Sequence, residues 1–132
     1  MIDSAALIQA HIRSIPEMTA IFGRRIYSAR NLPAGYQPTQ GPACLYAIRG
    51  GAQDFSSKLF VVSVQFRLYA DTEANACSAA GGLYSAINDT QARQICYARM
   101  EDGTFPQLLS EPVSNWPYIL TYYKFFLQNK EA

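Results

Sequence analysis

Charge is scarce in this chain. Only 16% of its 132 residues are Asp, Glu, Lys or Arg, against about a quarter in an average globular protein. The balance is a net +1, so there is no global basic field of the kind that holds nucleic acid. Histidine is nearly absent, with His11 alone. Catalytic triads, His–Cys pairs and most zinc sites need a histidine with partners, and His11 reads instead as a residue of a helix surface or helix–sheet contact. The cysteines are three, Cys44, Cys77 and Cys96. Their odd count and wide spacing exclude a disulfide framework and a zinc knuckle, and point to a reducing compartment. None has an evident neighbouring base, so they read as small buried hydrophobes. No apolar run approaches the roughly 20 residues of a membrane span. The stretch MIDSAALIQAHIRSIP has no basic start and carries Asp3 early, unlike a signal peptide. A soluble protein made in a cytoplasm is the expectation.

Other chemistry is thin as well. Glu101 and Asp102 read as solvated turn residues, with no sign of the converging carboxylates that hydrolysis needs. Gly50-Gly51 and Gly81-Gly82 lack the lysine and the strand–helix setting of a phosphate cradle. The sequence therefore predicts no enzyme, no cofactor and no metal. Arg24, Arg25 and Arg30, with Arg49 and Lys58 in nearby loops, form the one basic concentration. Contact with phosphate is one reading of them; intersubunit salt bridges or a solvated rim are the expectation. Of the eleven basic residues eight are arginine, the cation favoured in interfaces for its planar, weakly hydrated fork.

What is present is hydrophobic pattern: 49% of the residues are apolar. In KLFVVSVQFRLYA, the residues Phe60, Val62, Val64, Phe66, Leu68 and Ala70 share one face of a strand. Leu59, Val61, Ser63, Gln65, Arg67 and Tyr69 share the other, mixed face, which is expected to meet water or a partner. From Lys58 to Ala70 this strand would reach on the order of 40 Å, long enough for one end to project as a hairpin arm with Ala43–Arg49. Asp71 or Thr72 caps the following helix, where Ala76, Ala80, Leu83 and Ile87 recur at helical spacing. Gly81-Gly82 inside it costs about 1 kcal/mol per glycine, which a close approach of helix to sheet would offset.

Before this unit, Asp3 or Ser4 caps a first helix with Ala5, Ile8, Ile12 and Ile15 as its stripe. Pro16 ends it, and a short helix Glu17–Phe22 stops at Gly23. A short strand Arg25–Ala29 precedes the proline-rich loop Asn31–Pro42. Gly50-Gly51 is expected to break the strand Ala43–Arg49. After the central helix come a strand Ile95–Glu101, a turn at Asp102-Gly103, a loop Phe105–Pro117, and a closing strand YILTYYKFFLQ, Tyr118–Gln128. The aromatics of that strand read as core and interface packing, on the ground that basic residues are not interleaved among the rings. Residues 129–132 read as a frayed tail. The fold class is α+β: one domain over 1–132, an antiparallel or mixed sheet with two main helices packed on one face, and a long β-hairpin arm.

These segments resemble the tail terminator, or tail completion, proteins of long-tailed bacteriophages and related gene-transfer particles. The resemblance runs through IPEMTAIFGRRIYSARNLPAGYQPTQGPACLYAIRGG, then VVSVQFRLYADTEANACSAAGGLYSAI, then YILTYYKFFLQ. The order and spacing of these segments carry it. Pro106–Trp116 departs from the pattern. The resemblance implies a virion protein, assembled in the host cytoplasm, that closes into a homohexameric ring at the head–tail junction. There it would end tail-tube growth and meet the tail tube protein and a head-side connector, with DNA only passing through the lumen. Arg24, Arg25, Arg30, Arg49 and Lys58 would then face the lumen or a subunit contact. Tyr36 and Trp116 would be aromatic anchors, and truncating Trp116 would weaken assembly without unfolding the subunit. The competing readings are another neck component such as a head-closure or connector protein, a small-molecule-binding module or an enzyme using Cys77 or His11, and a nucleic-acid binder.

Overall fold

The computed structural model describes residues 4–28, 31–54, 59–88, 90, 95–101 and 106–128. Helices α1 (Ser4–Ser14) and α2 (Pro16–Phe22) lead into the two-residue strand β1 (Ile26–Tyr27). After a 3₁₀ turn at Pro38–Gln40 come β2 (Ala43–Asp54), β3 (Leu59–Tyr69), α3 (Glu73–Ile87), β4 (Ile95–Met100), β5 (Gln107–Ser110) and β6 (Pro117–Gln128). The sheet order is β1-β2-β3-β6-β4, with β5 also on β6. Only β1–β2 is parallel; every other pair is antiparallel. β4 and β5 lie end to end along one side of β6, opposite Tyr123–Leu127 and Pro117–Leu120 respectively. The fold is thus α+β with an open mixed sheet, as the hydrophobic pattern requires.

The alternation in β3 decides where the helices go. Val62, Val64, Phe66, Leu68 and Ala70 are all buried. They share one core with Ile8, Ile12 and Ile15 of the first helix and its exit, Met18 and Phe22 of α2, and Ala76, Leu83 and Ile87 of α3. All three helices therefore cover the same sheet face. Burying such a side chain is worth about 1.5–3 kcal/mol, so this face fixes the register of β3. A one-residue slip would send the whole set to the other side. Thr72 is the N-cap of α3, its hydroxyl accepting from the Asn75 amide at 3.1 Å. Ala5 is exposed, so the α1 stripe starts at Ile8.

Three expectations are corrected. Gly50-Gly51 does not end β2. The strand runs on to Asp54 because β3 pairs with it through a register shift between Ile48 and Gly50, where Arg49 is the extra residue of a bulge. Residues 105–117 are not all loop, since Gln107–Ser110 forms β5 against the first turnless stretch of β6. The mixed face of β3 is not wholly open either. Tyr69 is buried, in a second cluster with Tyr36, Ala43 and Leu45, against which Leu32, Trp116 and Tyr118 pack. The proline-rich loop and the 111–116 turn thus seal one end of that face. The capping role of Asp3, the turn at Asp102-Gly103 and the tail 129–132 lie outside the described residues.

The glycine pair in α3 serves a helix rather than the sheet. A Cβ at Gly82 would lie 2.5 Å from Ile21 Cδ1 of α2, whereas one at Gly81 would meet nothing within 4 Å. Gly82 therefore lets α2 approach α3, and Gly81 is left with only its helix-propensity cost. Gly81→Ala should stabilise the domain by about 1 kcal/mol. Gly82→Ala should fall short of that by the cost of displacing Ile21. Denaturant midpoints of the two variants check this, and equal gains would mean the α2–α3 contact is not tight.

Candidate interaction surfaces

The basic residues singled out from sequence do not gather in one place. Arg24 is exposed on the turn after α2. Arg25 is half-buried and structural. Its Nε donates to the Pro42 carbonyl at 2.9 Å, and its backbone carbonyl accepts from Cys44 N at 2.8 Å. Its guanidinium occupies the space that a side chain at Gly41 would need. Gly41 is held at φ +123°, which also disfavours any residue with a Cβ. Arg25 thus clamps the end of the proline-rich loop onto the start of β2. Arg49 sits apart, exposed at the β2 bulge, with its guanidinium 4.5 Å from the centre of the Tyr122 ring. Arg30 and Lys58 lie outside the described residues.

The two aromatic anchors proved to be neighbours. Tyr36 and Trp116 meet edge to face, with centroids 5.9 Å apart. Tyr36 is only 5% exposed, and its hydroxyl donates to the Gly41 carbonyl at 2.7 Å. It belongs to the interior of this chain, so it is corrected from a surface anchor to a pin of the loop layer. Trp116 is half-buried, so its removal has an internal cost besides any interfacial one. Beneath the pair, Tyr69 donates to Glu111 Oε2 at 3.0 Å and stacks on Tyr118 at 4.8 Å. A cleft of about 420 Å³ opens here, lined among others by Asn31, Tyr36, Arg67, Tyr69, Glu111 and Trp116.

Two features were not visible in the sequence reading. Every residue of β5 is exposed, including Leu108 and Leu109, and Val113 in the next turn is 94% exposed. The adjacent leucines after Pro106 were the available signal, but proline density made the segment read as loop. The second feature is the uncovered part of the outer sheet face. Lys124 stands directly opposite Arg99 of β4 on one side and Ser63 of β3 on the other. Ser63 in turn pairs with Gly50, next to Arg49. The reading that no basic residues are interleaved among the rings is therefore overturned. Lys124 is one, and neighbouring strands supply the others.

His11 and Cys44 are held in the interior. His11 is buried against Phe125, edge to face at 6.2 Å, and burial lowers its pKa. The Thr90 hydroxyl donates to the Ile87 carbonyl, so at 3.0 Å it accepts from His11 Nε2–H. Nδ1 is left buried without a partner. Cys44 is buried, which pushes its thiol pKa up; Cys77 is exposed on α3; and the side chain of Cys96 lies outside the described residues. Among the described residues, no three His, Cys, Asp or Glu side chains come together as a metal site would require.

Comparison with known proteins gives fold without family. No protein-family model matches the chain, and no curated protein does. Among solved structures, a chain of the "Virion of native gene transfer agent (GTA) particle" is similar over 92% of both chains, with a TM-score of 0.64 and 14% identity.

Two pH responses follow. His11 has a folded pKa below its unfolded value, so the unfolded state binds more protons and stability should fall as pH drops below about 6.5. His11→Gln should flatten that part of a stability–pH profile. Burial pushes both Tyr36 and Tyr69 up to about 12, aided for Tyr69 by Glu111. Their contribution is intact below pH 10 and should be lost as pH rises through about 12. Trp116 is the sole tryptophan and touches Tyr36, so its fluorescence should report that loosening.

Proposed function

We propose that this chain is a structural virion protein that closes into a hexameric ring at the head-proximal end of a phage-type tail. It would end growth of the tail tube and join the tail to the head-side connector. Tail tube protein, connector and further copies of itself are its partners. The carrying observation is the fold shared from end to end with a chain of a gene transfer agent virion. The segment order of the sequence points the same way. In this reading the protein is no enzyme and works by surface contacts alone.

The sheet offers what a ring contact needs. A head-to-tail ring buries two different patches of each subunit. One is the β5 edge, with Leu108, Leu109 and Val113 exposed beside it. An apolar edge strand of this kind is a liability unless something covers it. The other is the opposite edge, where β2 has no strand beside it beyond Leu45 among the described residues.

Light scattering coupled to size exclusion should find a species near six times the subunit mass of 14.7 kDa, either alone or once tail tube is added. Val113→Asp should leave the melting temperature unchanged and weaken assembly about tenfold, as loss of one central apolar contact does. A strict monomer in the presence of tube sinks the ring. Binding to filled heads rather than to purified tube would assign the protein to another part of the neck.

A further inference from the structure

The outer face, which no helix among the described residues covers, carries a row of positive charge that the fold does not need. Arg99 and Lys124 are directly opposed across β4–β6. Like charges in that position destabilise a sheet. The row continues through Ser63 to the β2 bulge, where Arg49 is the residue squeezed out of register and laid over Tyr122. Four adjacent strands at about 4.8 Å spacing make the row about 14 Å long. Arg49 and Arg99 are exposed and Lys124 is half-buried. No ion pair engages these three among the described residues. Alternation places all three on the outer face, since Ile48, Ala98, Tyr123 and Phe125 beside them point into the helix-side core.

Few acidic groups stand beside this row. Among the described residues, Glu17 and Glu73 lie in the first turns of α2 and α3, with Asp71 just before α3. Glu111 is held by Tyr69 at the sealed end. Asp54 ends β2 opposite Leu59, away from the row. Glu101 stands beside the row on the same face: its amide donates to the Tyr122 carbonyl and its carboxylate accepts from Ser63 Oγ at 3.1 Å.

We propose that the outer face around Arg49, Lys124 and Arg99 holds the phosphate backbone of duplex DNA without reading its sequence. Charge complementarity selects a polyanion, and phosphate contacts alone give sequence-independent binding. Single strands are bound instead by stacking bases on open aromatic rings. Here the two best-placed rings are covered, Tyr122 by Arg49 at 4.5 Å and Tyr118 by Arg67 at 5.9 Å.

The test is fluorescence anisotropy of a labelled duplex of about 30 base pairs with the purified full chain. Three phosphate contacts per subunit give a salt slope of about −2.7, so affinity should fall about 40-fold between 50 and 200 mM salt. Two unrelated duplex sequences should bind alike. The variant carrying Arg49→Gln, Arg99→Gln and Lys124→Gln should lose that slope, while Arg24→Gln keeps it. Lys124→Gln alone should hold or raise the melting temperature, because it relieves Arg99; a lower one would show the cations bonded within the fold and overturn the proposal. Equal binding by the triple variant overturns it too. Tighter binding of single-stranded DNA, or displacement by poly-L-glutamate as effective as by unlabelled duplex, would give the face to another occupant. Scattering on the same samples reports assembly separately, so this inference and the ring reading can fail independently.

Discussion

β3 has a partner on both sides from Leu59 to Tyr69, β2 on one side and β6 on the other. Every other part of the domain depends on that double pairing. Because side chains alternate, fixing β3 fixes which residues of three strands point each way. The apolar set then draws all three helices to one face. Among the described residues, no helix covers the opposite face. Its Tyr69 end is closed by the proline-rich loop and the 111–116 turn, and its Arg49 end is not. The division of labour across the sheet follows from one register.

That register was legible, because period two in residues 60–70 and 118–128 is hard to mistake for anything else. So were the helices, through Ile8, Ile12 and Ile15, through Pro16 and Gly23, and through the Thr72 cap. What failed were the places where a neighbour outweighs local preference. Gly50-Gly51 is a break by propensity, yet β3 alongside supplies hydrogen bonds that carry β2 through it, and the strain is spent in a bulge at Arg49. β5 is four residues between prolines and exists because β6 has a free side there. Gly82 was recognised as needing compensation, but only the folded chain shows that Ile21 of α2, not the sheet, is what it admits.

The candidate surfaces were less legible, for a related reason. A basic cluster read along the chain assumes that residues near in sequence act together. Arg25 instead donates to the Pro42 carbonyl, while Arg49 lies over Tyr122. Across a sheet, the neighbours of Lys124 are Arg99 and Ser63, at sequence distances that no local window joins. Tyr36 and Trp116 were chosen as aromatics on loops, where interface energy often concentrates. Two such loops can also find each other, and in this chain they do. Their pairing packs the loop layer onto the sheet.

The apolar edge at β5 and the cationic row both lean on β6, but they open in different directions. A strand edge makes contacts in the plane of the sheet. The row of Arg49, Lys124 and Arg99 points along the normal to that plane. Subunits joined edge to edge would therefore leave the charged face clear, and repeat it once per subunit around any closed ring. Each copy alone offers three cations, enough for only weak, salt-sensitive contact with a phosphate backbone. Repetition around a ring multiplies that contact without any single site holding DNA tightly. If the proposed ring forms, many weak contacts of this kind would let a polyanion pass rather than retain it.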